Sequence, residues 1–172
     1  MLVQPLSRQQ KDQVCEATGA CIRRAEHIFK LVPTPVPVEF DLRGRAVGMY
    51  RVRCGERLIR YNPYIFAKYF DSNLNETVPH EVAHYVTDRL YGLGNVRSHG
   101  FEWKTVMAAL GVDARATARY DLDGIPVRRQ RRFAYRCSCR IHQLTSCRHN
   151  RVLRGQAAYH CQNCGSAIMP VA

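Results

Sequence analysis

Residues 77–86 read TVPHEVAHYV, which sets His80 and His84 four apart with Glu81 directly after the first. On an α-helix, residues four apart share one face, so both imidazoles can meet a single ion at about 2.0–2.1 Å. Glu81 is rotated by about 100° from His80, which puts its carboxylate beside such an ion instead of on it. Zinc held there acidifies a water, and a neighbouring carboxylate takes the proton as that water attacks a peptide carbonyl. The five-residue pattern also arises on ordinary helices, so it needs support elsewhere in the chain. A catalytic zinc takes three protein ligands and keeps one position open. His99, in SHGFEW at the start of the next helical pattern, lies beyond a glycine turn that lets the chain reverse and return a third imidazole.

A second group of metal-ligating residues closes the chain. Five of the eight cysteines fall within residues 137–164, and no secretory leader accompanies them, which favours metal ligation over disulfides. Cys161-x-x-Cys164-Gly165 has the spacing of a zinc knuckle. Tyr135-Arg136-Cys137 and Tyr159-His160-Cys161 open two similar segments, which makes Cys137 the counterpart of Cys161. The expected ligand set is Cys137, Cys139, Cys161 and Cys164. Cys139 lies unusually close to Cys137, so His142, at knuckle spacing from Cys139, is the alternative ligand. Four protein ligands leave no open position, so this second Zn2+ is structural and the first catalytic.

The net charge is +12, as expected for a protein that meets nucleic acid, an anionic membrane surface or an acidic partner. From residue 126 to 172 there are nine arginines and no acidic residue. Charge alone describes a solvated basic surface. On a small rigid ribbon, however, Arg128, Arg129, Arg131, Arg132, Arg148, Arg151 and Arg154 are suited to phosphate contacts, which makes nucleic acid the expected partner. At 46% hydrophobic and 23% charged residues the chain can bury a core, which excludes global disorder. No window approaches a transmembrane helix and no leader precedes the first helix, so a cytoplasmic protein without a membrane partner is expected.

These residues need elements to position them. LSRQQKDQVCEATGACIRRAEHIFK places Val14, Ala17, Cys21, Ile22, Ala25 and Phe29 at helical spacing, predicting a helix over 7–30. Three prolines in LVPTPVPVEF end it and lead into an extended segment. AVGMYRVR and RLIRYN flank Cys54-Gly55-Glu56 as a β-hairpin, and YIFAKYF follows as a short helix. Asn75 is placed to cap the helix of the opening motif, which runs to about Leu90 and stops at Gly92 and Gly94. Trp103, Val106, Met107 and Leu110 form the apolar stripe of the next helix. Asp88 and Glu102 face the site by helical spacing and are candidate partners for histidine N–H groups, with exposed surface charge as the expected role for both. Cys15, Cys21 and Cys54 read as small core residues, Cys147 as a spare thiol. The expected division is a metalloprotease domain over 1–120, a basic connector over 121–131 and a zinc ribbon over 132–172.

Taken together, VPHEVAHYV, SHGFEW and YRCSCRIHQLTSCRHNRVLRGQAAYHCQNCG resemble the bacterial SprT family, relatives of the eukaryotic Spartan metalloproteases. The resemblance implies an α+β fold: a zincin-like, gluzincin-type helical protease domain with a small antiparallel sheet, followed by a small zinc ribbon. His80, His84 and His99 match the family's metal ligands and Glu81 its general base. The two strands match the family's sheet, whose edge binds an extended protein substrate by strand addition. Trp103 fits the HG-x-x-W pattern as packing under the site. Eukaryotic relatives degrade proteins trapped covalently on DNA, which implies protein substrates bound to DNA. The competing reading is a non-catalytic, zinc-containing nucleic-acid-binding protein in which the histidine site is structural or vestigial. Glu81 argues against it, because a structural site has no use for a non-ligand carboxylate there.

Overall fold

Ser7 opens the first helix, α1 (Arg8–Phe29), through a reciprocal cap: its Oγ accepts from the Gln10 N–H at 3.2 Å while Gln10 Oε1 accepts from the Ser7 N–H at 2.9 Å. Lys30, in the left-handed region at φ 52°, ends it. Val14, Thr18, Ile22 and Ala25 recur at three- and four-residue intervals and are buried, the stripe that fixes α1 to the rest of the molecule. The computed structural model describes residues 2–114, 120–126 and 131–171. Helices and two small sheets alternate along them, an α+β arrangement that divides into two compact units, Met1–Val127 and Arg128–Ala172.

In the first unit the prolines after α1 deliver β1 (Val38–Glu39), followed by β2 (Gly48–Arg53) and β3 (Glu56–Tyr61). Cys54 and Gly55, both at positive φ, make the two-residue turn between β2 and β3. The sheet order is β1-β3-β2, with β2 antiparallel and β1 parallel to β3. The sheet is therefore mixed, where an antiparallel one is expected: the extended segment after α1 joins it from the far side in the same direction as β3. β2 is left as an edge.

Asn62 caps α2 (Pro63–Lys68) by accepting from the Tyr64 and Ile65 N–H groups, with Pro63 at the first position. A short turn, α3 (Phe70–Ser72), runs into one π-helical turn (Asn73–Thr77) and then into α4 (Val78–Tyr91). Asn75 lies inside the π turn and caps nothing, because the helical backbone is already continuous through it. Pro79 accounts for the widening: it has no N–H to offer the carbonyl four residues back, and its ring would collide with that carbonyl in a regular helix.

Helix α4 is the centre of this unit. Val82, Ala83, Tyr85 and Val86 are fully buried, and α1, β2 and α5 (Phe101–Ala109) pack around it. Trp103 and Met107 on α5 are buried as well. Each such side chain contributes about 1.5–3 kcal/mol of burial. Among the described residues no helix is long and apolar enough to cross a membrane.

The second unit is a three-stranded antiparallel sheet, ordered β5-β4-β6, from β4 (Arg132–Arg136), β5 (Ile141–Thr145) and β6 (Met169–Pro170). Tyr135, Leu144, Ile168, Cys137 and Cys161 form its small core. Between β5 and the second knuckle lies α6 (Ser146–Leu153), a helix with no buried residue. It is absent from the sequence reading because its apolar side is short: Val152 packs against the small core, and the rest of the helix is largely polar and basic.

Candidate metal centres

Successive turns of α4 bring His80 and His84 to one face, and the turn at Gly92 reverses the chain so that His99 arrives from in front of α5. The three Nε2 atoms stand 3.3 Å (His80–His84), 3.2 Å (His84–His99) and 3.1 Å (His80–His99) apart. Three ligands of a tetrahedral zinc, each about 2.0–2.1 Å from the ion, are separated by about 3.3–3.4 Å. The triangle therefore fits zinc with little adjustment. Trp103 backs all three rings, with centroid distances of 4.8, 5.6 and 4.7 Å, and its Nε1–H points to the His80 carbonyl at 3.4 Å.

Burial, and next the neighbouring charges of His80 and His99, push the His84 imidazole down to about 3. Burial also lowers His99. Neutral rings leave their lone pairs available to a cation.

Glu81 is 5% exposed and lies behind the same cleft. Burial raises its carboxyl to about 8 against the opposing pull of one backbone donor, the Tyr50 N–H, which reaches Oε2 at 2.7 Å. The cleft, about 1070 Å³, is lined by Gly48, Met49 and Tyr50 of the edge strand, by Thr77, Met107 and Tyr120, and by the three histidines.

Asp88 does not serve the histidines. Its Oδ2 accepts from the Tyr50 hydroxyl at 2.8 Å and from Arg57 Nε at 2.7 Å, and its Oδ1 from the Leu93 N–H at 3.3 Å. Glu102 sits half-buried in the first turn of α5. Gly48 and Tyr50 were invisible as site residues in the sequence. Both act across the fold, and only the glycine–aromatic pairing on a strand next to a predicted helix could have pointed to them.

In the second unit, Cys137, Cys139, Cys161 and Cys164 converge so that their sulfurs all lie within 4.8 Å of one another. Cys137–Cys139 and Cys139–Cys161 are 3.4 and 3.7 Å apart, near the roughly 3.8 Å edge of a zinc–thiolate tetrahedron. The tight backbone that allows this is tied by Cys137 N–H to Arg140 O and Cys161 N–H to Ser166 O. His142 stands against Cys137, its Nε2 3.2 Å from Sγ, where one tautomer donates to the sulfur.

Hydrogen bonds from Ser138 and then Ser166 hold the Cys164 thiol down to about 5. The Asn163 amide lowers Cys139, but contacts with Cys137 and Cys164 outweigh it and push that thiol up to about 12. Thiols this close ionise together only when a cation offsets their charge, so the cluster is suited to a metal ion. Of the remaining cysteines, Cys15, Cys54 and Cys147 are exposed and Cys21 is half-buried, so Cys15 and Cys54 are not core residues. Cys15 lies off the buried stripe of α1, and Cys54 is at a hairpin tip.

Arg131, Arg132, Arg148, Arg151 and Arg154 are all exposed. Arg131 lies over the Phe133 ring at 5.0 Å and Arg148 over Tyr159 at 5.6 Å. Phe133 in turn stacks on His149, with centroids 3.6 Å apart and planes 4° apart. Arg128 and Arg129 lie outside the described residues.

The family model described as the SprT-like family matches residues 19–130. The chain is similar to Protein SprT of Vibrio parahaemolyticus serotype O3:K6, 39% identical over 146 residues, which covers 84% of each chain. It is 42% identical to Protein SprT of Klebsiella pneumoniae (strain 342) over 131 residues, covering 76% of this chain and 75% of the relative. Protein SprT of Escherichia coli O1:K1 is 39% identical over 133 residues, covering 77% and 76%. No solved structure matches the chain.

Proposed function

This chain belongs to the SprT-like family, and on that premise we propose that it is a zinc-dependent endopeptidase of zincin-like fold that acts on proteins bound to nucleic acid. The observation that carries the reading is the triangle of Nε2 atoms at 3.1–3.3 Å with a buried, non-ligand carboxylate beside it in an open cleft. His80, His84 and His99 would hold zinc, which supplies Lewis-acid polarisation and an acidified water. Glu81 moves the proton. Its Oε2 is held by the Tyr50 amide, so Oε1 is the oxygen that takes a proton from the attacking water and passes it to the leaving nitrogen.

Strand β2 supplies the substrate edge. It pairs with β3 on one side only, and an extended peptide adds to such an edge through its main chain. The Tyr50 N–H is already engaged with Glu81, so the groups offered to a peptide come from the residues around it.

In the second unit Cys137, Cys139, Cys161 and Cys164 would hold a structural zinc, and the exposed arginines would meet phosphates. A deciding experiment compares wild type with Glu81→Gln on a protein crosslinked to DNA, with and without single-stranded DNA. Degradation by wild type and none by a folded, zinc-loaded Glu81→Gln protein is the expected outcome. Equal degradation by the two removes the enzyme reading in favour of a binding protein.

A further inference from the structure

Glu81 and Asp88 are seven residues apart on α4, two turns or about 10.5 Å along the axis, and so share a face. Tyr50 touches both. Its main-chain N–H donates to Glu81 Oε2 at 2.7 Å, and its hydroxyl donates to Asp88 Oδ2 at 2.8 Å. One residue of the edge strand therefore grips the central helix at two points. Asp88 is 8% exposed and carries three bonds, to Tyr50 on β2, Arg57 on β3 and the Leu93 N–H in the turn that leads toward His99.

We propose that Tyr50 and Asp88 are positioning residues for Glu81, a brace in which the phenol–carboxylate bond fixes where β2 lies on α4 and thereby aims the Tyr50 amide at Oε2. The proposal rests on Glu81 being the general base. Strand β2 has a hydrogen-bonded partner on one side only, and Tyr50 ties it to α4 through the hydroxyl bond to Asp88 and a ring contact with Tyr85 at 6.3 Å between centroids. Arg57, on the neighbouring strand, donates from Nε to Asp88 Oδ2 at 2.7 Å and sets an opposite charge against this buried carboxylate. The same carboxylate holds the Leu93 amide, so the strand that aims the base and the turn that returns His99 share one anchor. A shift of about 1 Å in a reacting group can cost about 100-fold in rate, so a residue that touches no substrate can still govern turnover.

The test uses the full chain loaded with zinc, and compares wild type, Tyr50→Phe, Asp88→Asn and Glu81→Gln. It reads zinc content, kcat and KM on β-casein in the presence of oligothymidylate, and deuterium exchange at the Tyr50 amide. Tyr50→Phe and Asp88→Asn should keep zinc and leave KM within about twofold, while kcat falls about tenfold or more. In both, the Tyr50 amide should exchange about tenfold faster, a change that needs no turnover to be seen. Should Asp88→Asn fail to fold, Tyr50→Phe deletes the same bond with one atom. Wild-type kcat and unchanged amide exchange in Tyr50→Phe, alongside an inactive Glu81→Gln, would overturn the brace alone. Loss of zinc and a rise in KM alongside the fall in kcat would make the pair merely structural. Full turnover by Glu81→Gln would instead remove the general base and the function built on it.

Discussion

Gly48 and Glu81 face each other with no room for a side chain between them: a Cβ on Gly48 would stand 2.7 Å from Cγ and 2.8 Å from Cδ of the glutamate. Gly48 begins the edge strand, and its backbone lies against the carboxylate that the Tyr50 N–H holds two residues later. Here glycine is required by close approach. Gly48→Ala is expected to push the carboxylate off its donor and reduce kcat about 100-fold, with zinc content unchanged. Turnover close to wild type in a folded Gly48→Ala protein would show that the strand, not the base, gives way.

Two zinc ions per chain are expected, with different lability. The histidine centre has three ligands and an open side, so a chelator removes its metal first. The four-cysteine centre releases metal only as the second unit unfolds. His84→Ala should leave one zinc per chain, with the ribbon's chemical shifts intact. Metal analysis of protein purified without added zinc, before and after chelation, checks both statements.

Nucleic-acid binding is expected to be carried by phosphate contacts with little sequence preference. Arg148 and Arg151 sit exposed on α6. Replacing both with Ser should weaken binding about equally for all sequences and flatten the salt slope by up to about 0.7–0.9 per lost contact. A salt titration with DNA and RNA of mixed sequence measures this, and an unchanged slope would return α6 to being a solvated surface.

The thiols of the first unit should separate by reactivity and by pH. Burial, opposed by Arg24, pushes the Cys21 thiol up to about 11 from 9.0. Folding thus favours the neutral thiol: the contribution is complete below pH 9 and is lost as pH rises from 9 toward 11. The stability difference between wild type and Cys21→Ala should shrink across that window in urea titrations. At neutral pH exposed Cys54 should react with a thiol reagent well before half-buried Cys21.

What could be read in advance follows from which interactions are local. The spacing of His80 and His84, the amphipathic stripe of α1 and the hairpin around Cys54 and Gly55 are properties of short windows, although Glu56, read as part of the turn, already belongs to β3. His99 was found because only one histidine follows the glycine turn at the head of the next helix. The π turn was missed because Pro79 at the start of a helix is ordinarily harmless, and its conflict with the preceding carbonyl arises only when helix already runs through Asn75. Likewise, nothing near position 50 announces an amide aimed at a glutamate 31 residues later. α6 spans eight residues and packs on the small core through Val152, and β1 joins the sheet through two residues, too few in either case to form a pattern.

Two of the three imidazoles and the proposed general base ride on a single helix, whereas His99 and the Tyr50 amide come from elsewhere in the chain. Heating or a distant substitution that moves α4 as a rigid body leaves the spacing of His80, Glu81 and His84 untouched. Failure of the centre is therefore asymmetric. It begins at the returning turn or the edge strand, so a partially loosened molecule keeps a two-histidine claw with its glutamate. On the proposed function such a form is expected to pick up metal, more weakly, while turning over nothing, so occupancy by metal would be a poor proxy for competence.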